Sequence, residues 1–192
     1  MKPGLTLNSF NQNLADSDCN PNSIHCHLDR AAGHVISKDI TISASNASAN
    51  LNVFQLTGSV EIYRIYGVIK TATTLTNCTS AYFDLYTAHD GGSEVAITKN
   101  DGVLSGMAAG TFFTKEAVKT NTMTVINNAT LLVTEPVTDK KQFTPFIITQ
   151  KLTEDTYLRF NYTTTDAPAN AEFTIYVEYR TTPDSGGTIV AV

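Results

Sequence analysis

The stretch Glu172-Phe173-Thr174-Ile175-Tyr176-Val177-Glu178-Tyr179-Arg180 decides the fold class. Phe173, Ile175, Val177 and Tyr179 alternate with Glu172, Thr174, Tyr176, Glu178 and Arg180. Successive side chains of an extended chain point to opposite faces, so this period of two buries one face and wets the other. Just upstream, Leu158, Phe160 and Tyr162 alternate with Tyr157, Arg159, Asn161 and Thr163. Between the two runs, Asp166-Ala167-Pro168-Ala169-Asn170 carries turn chemistry. Together they predict an antiparallel pair.

Towards the N-terminus, Ser59 to Lys70 is dense in strand formers, but its apolar residues fall on both faces around Gly67, which predicts a bulge or a two-sided contact there. Further strands are expected at 35–43, 51–57, 81–87, 94–98, 129–134 and 143–149, short runs punctuated along the chain by Gly, Asn, Asp and Pro. A short helix is expected over 114–120, where Lys115-Glu116-Ala117-Val118-Lys119 has helical propensity. About eight or nine short strands at this spacing predict an all-β, antiparallel β-sandwich of jelly-roll-like form. Ahead of Val35 the composition turns to Asn, Asp, Ser and Pro. The expected division is therefore an extended N-terminal arm, 1–34, and a β-sandwich domain, 35–192.

At 192 residues the chain is sized for one core. Its 16% of charged residues is low, Thr, Asn and Ser taking their place, and its formal net charge is -5. Clustered Lys and Arg for neutralising phosphates are missing, so no nucleic-acid partner is expected. No stretch approaches the roughly 18 apolar residues of a membrane helix, so no membrane partner is expected either. The start, Met1-Lys2-Pro3-Gly4-Leu5, lacks the apolar core of a secretory signal, which implies assembly in a host cytoplasm. The sequons at Asn46, Asn77, Asn128 and Asn161 then reflect an Asn/Thr-rich β composition rather than glycosylation.

The densest group of ligand-type side chains is Cys19, His25, Cys26, His27 and His34. Thiolate and imidazole suit zinc, but there is no C-x2-C pair. No metal and no other cofactor is expected, and this cluster is the place to look for one. Cys78 is expected to be a lone loop or core thiol. Asp84, His89, Asp90, Ser93 and Ser105 supply hydrolase residue types without a G-x-S-x-G elbow. Asp84, Glu94, Glu135, Glu172 and Glu178 could pair as glycosidase carboxylates, yet Glu172 and Glu178 sit where outward-facing charges normally do. No catalytic residue is expected. The eight tyrosines, Tyr63, Tyr66, Tyr82, Tyr86, Tyr157, Tyr162, Tyr176 and Tyr179, suit sugar stacking or wet protein interfaces, with about half of them expected in the core.

The run Leu56-Thr57-Gly58-Ser59-Val60-Glu61-Ile62, the segment Tyr82-Phe83-Asp84-Leu85-Tyr86 and the stretch from Ile97 to Gly106 resemble small β-rich virion proteins of tailed bacteriophages. So does the stretch from Tyr157 to Pro168. The resemblance spans 35–192 and implies a head decoration, cement or head-fibre protein: non-enzymatic, often a homotrimer, located on the head surface of the virion. Its implied partner is the major capsid protein. A tail-fibre or spike module that binds a receptor glycan is the alternative, and a jelly-roll capsid shell protein a further one. The His/Cys-rich segment has no counterpart in that pattern.

An arm that lies along neighbouring subunits offsets its ordering entropy with contact area. In this arm Phe10, Leu14, Ile24, His25, His27 and Leu28 are the apolar or aromatic anchors expected to bind the partner. Deleting residues 1–34 should abolish capsid association and leave a folded sandwich. Co-sedimentation with heads and circular dichroism check the two halves of this expectation, and full occupancy by the truncated chain would refute it.

Overall fold

A computed structural model describes residues 33–42, 48–71, 78–87, 92–115, 122–126, 145–151, 154–164, 171–182 and 186–192. Among these residues there are eleven strands and no helix: β1 (His34–Ile42), β2 (Ser48–Thr57), β3 (Ser59–Ile69), β4 (Ser80–Thr87), β5 (Ser93–Ala96), β6 (Phe112–Thr114), β7 (Thr124–Ile126), β8 (Phe146–Thr149), β9 (Thr156–Thr163), β10 (Ala171–Thr181) and β11 (Thr188–Ala191). They form two antiparallel sheets. A six-stranded sheet runs β1-β10-β3-β6-β7, with β8 also on β3, and a five-stranded sheet runs β11-β2-β9-β4-β5. The expected all-β antiparallel sandwich is the observed fold.

The alternating run around Phe173 became β10, central in its sheet. Phe173, Ile175, Val177 and Tyr179 are buried, whereas Glu172, Tyr176, Glu178 and Arg180 are partly exposed. Its upstream neighbour in sequence, β9, does not pair with it. Strand β9 is central in the other sheet, between β2 and β4, while β10 pairs with β1 and β3. The expected hairpin is thus replaced by a crossing from one sheet to the other. Alternation reports which face is buried but is blind to which strand lies alongside.

In β3 the irregularity lies elsewhere than the sequence suggested. Glu178 pairs with Arg64 and Tyr179 with Ile62, leaving Tyr63 as the extra residue of a bulge. The bulge resets the alternation, so Val60 and Ile62 before it, and Ile65, Gly67 and Ile69 after it, all face the core. Gly67 answers a different need. It lies opposite Phe113 in the β3–β6 register, and a Cβ there would stand 2.0 Å from the ring's Cζ.

The space over Gly67 lets Phe113 reach across the sandwich. Its ring meets Phe83 and Phe160 of the five-stranded sheet at centroid distances of 6.3 and 5.7 Å, and Phe173 of its own sheet at 6.0 Å. Phe160 meets Phe173 at 5.3 Å, edge-on. All four rings are fully buried, and the aliphatic side chains Ile62, Ile65, Ile69, Leu56 and Leu158 pack with them in one core.

The expected strand 94–98 ends at Ala96, because the amides of Ile97 and Thr98 both donate to the Phe83 carbonyl and turn the chain away. Thr114, placed at the start of a helix by propensity, instead closes β6 and donates its hydroxyl to the Ile65 carbonyl at 3.0 Å. The remainder of that helix, 116–120, lies outside the described residues, as do the expected strand 129–134 and the turn 166–170. So does the proposed arm apart from Gly33 and His34, and His34 begins β1. Strands β6, β7 and β11 have three or four residues each, too short to display a period.

Gly67→Ala should destabilise the domain by about 1–3 kcal/mol through overpacking against Phe113. Phe113→Ala should cost about 3–5 kcal/mol. In the double variant the two losses should fall short of their sum, since the clash has gone with the ring. Urea unfolding of the four proteins measures this, and strict additivity would show that the two positions do not compete for the same space.

Candidate functional site: the outer face of the five-stranded sheet

In β9 the residues between the buried Leu158, Phe160 and Tyr162 are Tyr157, Arg159 and Asn161, which point away from the core. Cross-strand pairs share a face, so the register lays out a grid. Gln55, Tyr157, Tyr86 and Glu94 form one row across β2, β9, β4 and β5, and Asn52, Arg159, Asp84 and Ala96 form the next. A third row holds Asn50, Asn161 and Tyr82. A bulge at Val53, between the Asn52–Arg159 and Phe54–Leu158 pairs, keeps Asn50, Asn52 and Gln55 on this face while Val53 and Phe54 are buried.

Arg159 organises the grid. Its Nε donates to Asp84 Oδ1 at 3.0 Å and its Nη2 to Asp84 Oδ2 at 2.5 Å. The same Nη2 donates to Glu94 Oε1 at 2.5 Å. The Arg159 and Asp84 side chains are 5% and 2% exposed, whereas Glu94 is 54% exposed. The guanidinium carbon lies 4.0 Å from the centroid of the Tyr86 ring. Burial disfavours the guanidinium charge, but the hydrogen bonds it donates to Asp84 and Glu94, with their negative charge, outweigh it and hold the Arg159 pKa above its ordinary value. The group stays cationic at every accessible pH. Burial, with the neighbouring Asp84 and Glu94 charges, pushes the Tyr82 phenol up.

Thr111, Asn161 and Tyr162 hold buried side-chain polar atoms without a hydrogen-bond partner, and of these Asn161 belongs to the grid. This asparagine is 1% exposed, and neither its amide nitrogen nor its amide oxygen has a hydrogen-bond partner. Leaving a buried amide unpaired costs free energy. A sequon residue held this way in mid-strand is also poorly placed to carry a glycan.

The arrangement bears on the earlier candidates. Asp84 and Glu94 do come together, but on one guanidinium nitrogen, where both are acceptors for Arg159 rather than a free acid and base flanking a bond. Glu178 faces outward and sits 3.7 Å from Arg64, and Glu172 is half-buried on the same strand. Cys78 is a buried free thiol whose pKa is raised by burial. His34 is exposed, with its ring 5.3 Å from that of Tyr179. Phe10, Leu14, Cys19, Ile24, His25, Cys26, His27 and Leu28 lie outside the described residues, as do His89, Asp90 and Glu135. Among the described residues no three His, Cys, Asp or Glu side chains are grouped to hold a metal. No helix among them is long and apolar enough to cross a membrane.

No family model, curated protein or solved structure matches this chain. The reading therefore rests on the chain's own chemistry. Tyr162 and Tyr179 are buried, and the other six tyrosines are half-buried, fewer in the core than expected. Three of those six, Tyr82, Tyr86 and Tyr157, lie on the grid. The opposite face of the sandwich differs in kind. There Tyr66 stacks on Tyr176 at 4.8 Å and on Phe112 at 5.0 Å, and Val35 is exposed on β1 opposite Glu178, two residues along β10 from Tyr176. Sequence reasoning missed Arg159 as the centre, since one Arg within an alternating strand reads as an ordinary outward charge. The missed signal was the joint presence of Asp84 and Arg159 at outward positions of two strands.

Breaking the pair from one side leaves a buried charge without its partner. Asp84→Asn should therefore cost about 3–5 kcal/mol, against less than about 1 kcal/mol for Glu94→Gln at the exposed end. Chemical unfolding of both variants checks this, and equal losses would show that burial of the Asp84 end contributes nothing special.

Proposed function

We propose that this chain is a non-enzymatic structural protein of a tailed-phage virion, binding the outer capsid surface and stabilising the head. The observation that supports this best is the strand order. Strands β1, β2, β3 and β4 alternate between the sheets, and the late strands return between the early ones, β10 between β1 and β3, β9 between β2 and β4. Interleaving first and last strands is how a jelly roll is wound, and jelly rolls serve in viral capsid and lectin domains. Fold alone does not name a function. The resemblance over 35–192 supplies the virion half of the reading.

The outer face of the six-stranded sheet fits a protein that works by contact. On the six-stranded sheet, the Tyr66, Tyr176 and Phe112 stack offers aromatic area with exposed Val35 close by on β1. Aromatic residues surrounded by a polar rim are what a capsid contact would use. Two of the candidate carboxylates, Asp84 and Glu94, bind Arg159. Homotrimer formation and the major capsid protein as partner belong to the same proposal. A jelly-roll shell protein would share this fold, and copy number separates the two.

Purified particles examined by quantitative mass spectrometry and cryo-electron microscopy test the reading. Hundreds of copies on the outside of the head are expected. A continuous shell built from this chain would move the assignment to capsid protein, and absence from particles would overturn the virion reading.

A further inference from the structure

We propose that the outer face of the five-stranded sheet binds a neutral oligosaccharide, with Tyr82, Tyr86 and Tyr157 as stacking rings and Asn161 and Glu94 as hydrogen-bonding groups. The inference is independent of the capsid reading, which concerns a different surface. It starts from the unpartnered amide. Asn161 offers two N–H donors and a carbonyl acceptor, is 1% exposed, and meets none of those bonds within the protein. A buried polar group of this kind is either a cost without return or a group reserved for a ligand. Its cross-strand neighbours are Asn50, exposed, and Tyr82, half-buried. Because the amide is buried, a ligand reaches it only when the side chains over it move aside.

The surroundings select the ligand class. Sugars present hydroxyls that donate and accept, together with C–H faces that pack on aromatic rings. Tyr82, Tyr86 and Tyr157 supply half-buried rings on this face, and Tyr86 is held in place by the guanidinium of Arg159. Glu94 is 54% exposed and uses Oε1 on Arg159, which leaves Oε2 at the surface to accept from a hydroxyl. Asn52 and Asn50 add exposed amides on the β2 side.

Charge argues for a neutral ligand. The single Arg159 charge is already shared by the Asp84 and Glu94 carboxylates, so the cluster carries a net negative charge and repels an anionic sugar. A protein partner fits less well. Among the exposed large aliphatic side chains, Val190 is in register with the first row, opposite Gln55 on the edge strand β11, so apolar area lies at the rim and the centre of the face lacks the apolar patch that protein interfaces use. That chemistry lies on the other sheet.

The test is a glycan array followed by calorimetric titration of the full chain with cello-, malto-, manno- and galacto-oligosaccharides, with sialylated and sulfated oligosaccharides as anionic controls. Binding to one neutral class is expected. Loss of a ring or of the amide should weaken it roughly tenfold or more, the equivalent of one lost hydrogen bond or stacking contact. The variants are Tyr82→Ala, Tyr86→Ala and Asn161→Ala, with Tyr66→Ala on the opposite sheet as a control that leaves binding unchanged. Asn161→Ala should keep or raise the unfolding midpoint, because it removes an unsatisfied group. A fall in that midpoint with unaltered binding would assign the amide a structural role and overturn the proposal. So would binding confined to the anionic glycans, or no binding by the folded protein.

Discussion

The sandwich depends on one ring being allowed to sit where a side chain would normally stand. Phe113 comes from a three-residue strand that could not hold its place by backbone pairing alone. Its ring fills the space above Gly67 and touches Phe83, Phe160 and Phe173, so a short strand delivers the aromatic that joins both sheets. Glycine within a strand weakens it, through lost side-chain contact and backbone entropy. Here the ring laid over it restores the contact, and the bulge at Tyr63 sets the phase that turns Gly67 inward. Remove either and the cluster opens.

The same bulge logic operates on the opposite sheet. The extra residue Val53 lets β2 send two neighbouring side chains, Val53 and Phe54, into the core and still present Asn50, Asn52 and Gln55 outside. The two outer faces diverge as a result. One carries stacked aromatics with surface ion pairs such as Arg64–Glu178, the other a buried charged cluster with tyrosines and amides. A protein that needed solubility alone would have little reason to hold Arg159 and Asp84 nearly free of water, because ion pairs gain little when both partners are desolvated.

How much of this could be read beforehand depends on the length scale of the signal. Strand periodicity is local, so β3, β9 and β10 could be placed from their residues, as could the burial of Phe173, Ile175 and Val177. Partnership is not local. Residues 157–163 and 171–180 read as a hairpin, yet their strands belong to different sheets. Gly67 was legible as a special position, but whether it marked a bulge or a close approach was decided by Phe113, far along the chain. The site was legible only in pieces. Asp84, Glu94 and the tyrosines each attracted notice by type, while Arg159 and Asn161 draw their meaning from neighbours that the register supplies.

Register is also where the buried ion pair has its clearest consequence. Arg159 on β9, Asp84 on β4 and Glu94 on β5 tie three adjacent strands at one level. A slip of one residue exchanges the two faces of a strand. In β9 that slip would carry Arg159 into the layer of Phe83, Phe113 and Phe173 and send Phe160 out to water. In β4 it would bury Asp84 without its partner. Either error strands a charge in an apolar layer, a larger penalty than a mispaired Thr or Val would bring. Sheets rich in Thr, Asn and Ser specify register weakly, because many alignments leave similar polar surfaces. In such a composition a single buried charge pair contributes more by excluding the wrong alignments than by the energy of its own contact.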